Sequence, residues 1–361
     1  MAGTVGARPK LRSRKYGAAI PLDDLDRRLM NVMQGQFPLH PRPYAQVAEL
    51  AETTEDDALS RVQHLIDERI IRQVTPIFDT RALGYSSMLV AAKVDSENPH
   101  RPAQIINSHP GVSHNYLRNH EFNLWFTIAT EPDSKLGLDG TLEVLQRLTG
   151  AESVRQLPTL TLFKINMDLE MVGDTNALAS AAVAAPPREL EPIELEDLDI
   201  AVIRELQGDM PVVPEPYQPA ADALGLPVER LLTHLEGMRE RGALRRVAAI
   251  LYHRRAGFSA NGMGVWNVPE EQIDEIGPRM ASYRGISHCY RRPTYPDWPY
   301  SVFTMAHGRS KEECDAVLDG VARVCELEGD DRSTLYSSTE FKKIRLHYFT
   351  PDYADWESRN T

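Results

Sequence analysis

Two short segments carry the same three chemical groups at the same spacing: His114, Tyr116 and Arg118 in GVSHNYLR, and His288, Tyr290 and Arg292 in GISHCYRR. Alternate residues of a β-strand point to one face. Read as strands, the segments each line up an imidazole, a phenol and a guanidinium, with Val112 or Ile286 beside them and Ser113, Asn115 and Leu117 on the opposite face. Imidazole exchanges protons near neutral pH, and a guanidinium grips carboxylates bidentately. Such a row suits an acidic aromatic ligand and proton exchange with it. More His and Arg gather nearby. His253, Arg254 and Arg255 precede Ala256-Gly257-Phe258; Arg291 and Arg292 precede the aromatic hairpin PTYPDWPY, which holds Trp298 and Tyr300; the following strand carries His307. In the first half, Arg81 precedes ALGY and His120 precedes EFNLWFT. Surface or packing service is the alternative for any one of these histidines, and it is their concentration in the second half that points to function.

Other chemistries lack their residues. There is no Gly-rich phosphate fingerprint, HExxH pair or GxSxG elbow. Cys289, Cys314 and Cys325 form neither a close metal-binding pair nor an even disulfide framework, which fits a reducing cytoplasm, with Cys289 read as a small buried side chain. A net charge of -12 repels a nucleic-acid backbone on average, so DNA is not the expected partner, and the basic run RPKLRSRK at 8–15 reads as a solvated tail. No apolar stretch reaches transmembrane length and no signal-peptide core opens the chain, so a cytoplasmic protein with no membrane contact is expected.

These groups must be positioned by a duplicated scaffold. Asp24-Leu25-Asp26 recurs as Asp197-Leu198-Asp199; Gln34, Gly35, Pro38 and Tyr44 recur as Gln207, Gly208, Pro211 and Tyr217; Arg81 and Gly84 recur as Arg254 and Gly257. The Ala/Pro-rich stretch at 176–193 reads as the junction. Each unit opens with three helical segments, at 24–34, 44–52 and 55–69 in the first, running into a small two-stranded wing, the pattern of a winged helix-turn-helix. The third helices have faces of mixed charge, which suits structural packing better than DNA reading. Each unit then alternates strand and helix in the βαββαβ order of a ferredoxin-like domain, with last strands at 160–169 and near 341–349. The expected fold is α+β, a tandem repeat of winged helix-turn-helix plus ferredoxin-like domain. Its bounds are 20–80, 84–172, a linker at 173–192, 193–252 and 256–350. Two such sheets can pack face to face or edge to edge and enclose a pocket.

Each unit resembles the leucine-responsive and asparagine-type transcription regulators. In combination, GVSHNYLR, FNLWFT, RRAGFSANGM, GISHCYRRP and WPYSVFTMAHG resemble the siroheme decarboxylases, over about residues 20–350. The resemblance implies conversion of siroheme to 12,18-didecarboxysiroheme by loss of two acetate carboxyl groups, in heme d1 synthesis or the related alternative heme route. It implies that the chain fuses two subunits that elsewhere pair as a heterodimer; association into a homo-oligomer is compatible with it. Arg118, Arg254, Arg291 and Arg292 would then anchor carboxylates, and Tyr116, Tyr290, Trp298 and Tyr300 would contact the macrocycle. His288 is the first proton-transfer candidate, His114 its first-copy counterpart, and His253, His307 and His120 are reserves, one of which could instead approach the substrate iron. No separate cofactor and no protein-bound metal is called for, because iron arrives within the siroheme. His253 aligns with Thr80 and Arg255 with Ala82, so one principal site built mainly from the second unit is expected. A ligand-responsive transcription regulator and a noncatalytic tetrapyrrole carrier are the competing readings.

Overall fold

The computed structural model describes residues 21–35, 37–165, 192–252, 260–308, 310–327 and 331–361. The basic run at 8–15, most of the Ala/Pro-rich junction, and His253, Arg254 and Arg255 lie outside the described residues. The first unit runs α1 (Asp24–Gly35), α2 (Pro43–Leu50), α3 (Glu55–Asp67), β1 (Ile71–Phe78), β2 (Ser86–Lys93), α4 (His100–Ser108), β3 (Val112–Arg118), β4 (Leu124–Thr130), α5 (Gly137–Thr149), β5 (Ser153–Leu157) and β6 (Thr161–Ile165). The second runs α6 (Asp197–Leu206), α7 (Gln218–Leu224), α8 (Val228–Glu240), β7 (Leu244–Leu251), β8 (Ala260–Trp266), α9 (Ile273–Ser282), β9 (Ile286–Arg291), β10 (Val302–Gly308), α10 (Lys311–Cys325) and β11 (Arg332–Lys343), and it adds α11 (Asp352–Asn360).

Local sequence accounts for the helices. Thr54 caps α3 by accepting from the Asp57 N–H at 3.3 Å, and Glu55, Asp56 and Asp57 place negative charge at the positive end of the helix dipole. Ala58, Val62 and Leu65 then form its buried stripe. Several arginines on these helical domains are paired within the protein. Arg61 reaches Asp23 at 2.7 Å and Asp26 at 3.0 Å, and Arg241 reaches the fully buried Asp199 at 2.6 Å.

The wing differs from expectation. β1 has no partner strand in its own unit and pairs antiparallel with β7, so the two helical domains share one ribbon. Their apolar faces merge as well, Leu29, Met33 and Tyr44 lying in one core with Ile203, Leu231 and Leu235. A three-helix unit of this size buries little apolar surface alone, and joining two enlarges the core.

The sheets also exchange strands. β5-β2-β4-β3 and β11-β8-β10-β9 are the two ferredoxin-like orders. The last strands differ from those expected at 160–169 and 341–349: β5 and the first half of β11 fill that place, while β6 crosses to pair with β9 and Ser337–Lys343 of β11 crosses to pair with β3. β3 and β9 would otherwise be bare edges, with unpaired N–H and C=O groups that the crossing strands satisfy. Neither SVRQL nor RSTLYSSTEFKK shows clean apolar alternation, which is why they do not read as strands. The inner faces meet through Ala91, Trp125 and Leu157 of one unit and Met263, Val265, Phe303 and Leu335 of the other, so the sheets pack face to face.

α11, beyond the expected end of the second unit, closes over the first. Trp356 is buried in the core beneath α4 and α5, its ring centroid 4.5 Å from that of His109, and its Nε1–H donates to Ser108 Oγ at 3.1 Å. No helix among the described residues is long and apolar enough to cross a membrane.

Candidate active site

The two His segments occupy matching places, at the start of β3 and of β9, and in both a β-bulge remakes the expected alternation. Val112 faces Ile128 while His114 faces Thr127, and Ile286 faces Ala306 while His288 faces Met305. Ser113 and Ser287 are thus the extra residues of two bulges. The bulge swings each serine to the side of the following histidine. Ser113 Oγ lies 3.0 Å from His114 Nδ1, and Ser287 Oγ lies 2.7 Å from His288 Nδ1. Val112 and Ile286 do not share the histidine face, as strict alternation required; they pack into the cores under the helices. Gly111 precedes the first bulge because a Cβ there would come within 1.8 Å of the Ala129 carbonyl oxygen, and Gly285 holds φ at +94°.

Beyond the bulge, alternation holds. Asn115 turns outward and donates to the Ala103 carbonyl of α4 at 3.3 Å, and Cys289 lies at Gly277 of α9. His114, Tyr116 and Arg118, and likewise His288, Tyr290 and Arg292, follow one another on the inner side. Ring centroids are 6.2 Å apart for His114 and Tyr116 and 6.0 Å for His288 and Tyr290, and the guanidinium carbons sit 5.9 Å above Tyr116 and 5.0 Å above Tyr290.

Arg118 and Arg292 each reach into the opposite unit, where a backbone carbonyl accepts from them: Leu335 at 3.1 Å for Arg118, and Leu157 for Arg292. Their Nε groups are enclosed and have no hydrogen-bond partner among the described residues. Burial lowers both guanidinium pKa values to about 10, against the small opposing effect of the adjacent phenol.

The surroundings of the two histidines differ. Burial lowers the His114 pKa, and Lys343 and Arg72 lower it further against Glu340. Burial, then His307, pushes His288 down to about 4. His307 Nε2 is 2.6 Å from Ser287 Oγ, and its Nδ1 is 2.7 Å from Asn261 Oδ1. Register puts Ala129 and Ser87 at the corresponding places in the first unit. A cavity of about 250 Å³ opens there, lined by Ser87, Ser113, His114, Thr127, Ala129 and Arg345 among others. That volume suits a side-chain-sized group and falls short of a whole macrocycle.

Other expected site residues sit elsewhere. Arg291 turns away from the inner face and pairs with Glu270. Trp298 is fully buried between the sheets, its ring centroid 5.3 Å from that of Trp125. Tyr300 lies 4.9 Å from Trp298. His120 accepts from the Phe122 N–H at 3.0 Å, packs on Trp298 at 5.3 Å and has its pKa lowered by burial. His253 and Arg254 lie outside the described residues. Sequence reasoning missed Ser113, Ser287, Asn261 and Arg345. The repeated Ser-His pair was the available signal for the first two. Among the described residues no three His, Cys, Asp or Glu side chains converge to hold a metal ion.

The architecture defines a fused pair of helix-turn-helix and ligand-binding units. The family model for the AsnC-like ligand binding domain matches residues 82–164 and 255–342, and that for the siroheme decarboxylase NirDL-like HTH domain matches 26–72 and 199–245. The siroheme decarboxylase of Hydrogenobacter thermophilus is 35% identical over 331 residues, covering 91% of this chain and 96% of the relative. The crystal structure of the siroheme decarboxylase NirDL in co-complex with an iron-uroporphyrin III analogue aligns with a TM-score of 0.76 at 30% identity, over 93% of this chain and 98% of that one. The chain belongs to the siroheme decarboxylase family. A single-subunit relative, the siroheme decarboxylase beta subunit of Methanosarcina barkeri, is 38% identical over 155 residues, 42% of this chain and 100% of its own length, as a fusion of subunits requires.

Proposed function

We propose that the protein removes the carboxyl groups of two acetate arms of siroheme, giving 12,18-didecarboxysiroheme, in heme d1 synthesis or the related alternative heme route. The observation that carries this reading is the twofold row on the inner sheet faces: a half-buried histidine held by a serine, a phenol, and a guanidinium whose Nε has no hydrogen-bond partner among the described residues. Siroheme is a flat polycarboxylate, and Arg118 and Arg292 supply the missing counter-charge. Loss of carbon dioxide leaves an electron pair that the macrocycle can hold, so the protein's work is to orient the acetates and return a proton to each carbon. His288 is the first group for that transfer and His114 its counterpart. No further cofactor is called for, and the iron belongs to the substrate.

Anaerobic incubation with siroheme, followed by mass analysis against a protein-free control, tests the reading. The expected product has lost two carbon dioxide units. Unchanged siroheme, despite binding to folded protein, would make the chain a carrier or regulator.

A further inference from the structure

Each decarboxylation replaces a carboxylate with a hydrogen, so one proton must enter for every carbon dioxide released. His288 is half-buried and meets that demand only if something recharges it. Its Nδ1 contacts Ser287 Oγ at 2.7 Å; Ser287 Oγ contacts His307 Nε2 at 2.6 Å; His307 Nδ1 contacts Asn261 Oδ1 at 2.7 Å, and Asn261 is exposed. Three consecutive short contacts thus join the inner histidine to the protein surface. Ser287 has a second acceptor within reach, the Met305 carbonyl, at the longer distance of 3.3 Å.

We propose that Ser287 and His307 form a proton relay that carries solvent protons from the edge at Asn261 to His288. The relay rests on the reading of His288 as the proton-transfer group. As the carbon–carboxylate bond breaks and carbon dioxide leaves, the electron pair stays with the substrate and the carbon takes the proton from His288 Nε2. His288 Nδ1 takes the hydroxyl proton of Ser287, and Ser287 takes the Nε2 proton of His307, which enters as the imidazolium with its Nδ1–H held by Asn261 Oδ1 and is left neutral until solvent returns a proton to it. Imidazole suits both ends because it can lose a proton at one nitrogen while gaining one at the other. Ser287 and His307 act through His288 and are positioning residues. The first unit has no such chain: Ala129 and Ser87 stand in register with His307 and Asn261, and the cavity beside Ser113 and His114 lies where the second imidazole would be.

The test is single-turnover decarboxylation of siroheme by the full chain, without oxygen, in light and heavy water. His307→Ala should slow the reaction by roughly tenfold to a hundredfold and raise its solvent isotope effect, and added imidazole should restore much of the rate by filling the vacated space. Ser287→Ala should slow it comparably, with no rescue. A wild-type rate in His307→Ala, or a loss that imidazole leaves unrepaired, overturns the relay. Should His307→Ala fail to fold, Asn261→Asp at the exposed end serves instead: a carboxylate beside Nδ1 should move the pH profile of the rate upward, and an unmoved profile overturns the proposal. His288→Ala separates the two ideas. If it turns over normally, the proton-transfer reading itself fails; if it is inactive while His307→Ala is unaffected, only the relay fails.

Discussion

The two halves keep the same Ser-His bulge and differ in what stands behind it. In the second unit His307 and Asn261 extend the pair to the surface; in the first, Ala129 and Ser87 leave a cavity. Both arrangements rest on the same strand register, so the difference comes from side chains and not from the backbone. The repeat keeps the Ser-His contact and changes the side chains behind it. Under the proposed decarboxylation this makes the two halves chemically unequal.

The largest effect expected is kinetic. His288→Ala should lower decarboxylation by about a hundredfold or more, the range of a lost general acid, and His114→Ala by less, read as the tetrapyrrole masses formed over time. Equal losses would make the halves equivalent. Next comes stability, because Trp356 of α11 is buried in the core of the first unit's ferredoxin-like domain. Trp356→Ala should cost about 3–5 kcal/mol in denaturant unfolding through the cavity it leaves, and a cost near zero would show that the helix does not hold the first unit's core.

Acid should weaken the second unit through His288. Its folded pKa, about 4, lies below the ordinary value near 6.5, so the unfolded chain takes up the proton first. The stabilisation is complete above pH 6.5 and disappears as pH falls through 4. It amounts to up to about 3 kcal/mol, less what water screens at a half-buried ring. Unfolding of His288→Asn across that window should show a shallower slope, and an unchanged slope would mean the ring is not held neutral by the fold. The smallest effect expected is in the first unit. Ala129→His with Ser87→Asn should fill the cavity at a cost within about 1–3 kcal/mol. A gain in the rate assigned to His114 would show that the neighbours alone distinguish the halves.

Much of the scaffold was legible because it depends on neighbours in sequence. The Asp-rich start of α1 and the apolar stripe of α3 locate helices within a residue or two, and the short apolar runs of β2 and β4 locate strands. The repeated His, Tyr and Arg were legible for the same reason, since period two places them on one face wherever the strand is regular. The bulge at Ser113 and Ser287 was not legible: an extra residue is defined against the partner strand, and no single strand shows it. Arg291 and Arg292 are adjacent and chemically alike, yet one pairs with Glu270 and the other crosses to Leu157. Strand alternation separates their faces, and the placement of the two sheets decides their partners.

The sequence by itself determined that the chain is a duplication, that each copy has a helical part followed by an alternating α+β part, and that imidazole, phenol and guanidinium recur at strand spacing. Local propensity and periodicity suffice for that. Tertiary structure decided that β1 pairs with β7, that β6 and β11 cross between units, and that His307 meets Ser287. Each of these brings together residues far apart in the chain, and edge pairing, burial of facing sheets and hydrogen-bond satisfaction select among partners that local sequence leaves open.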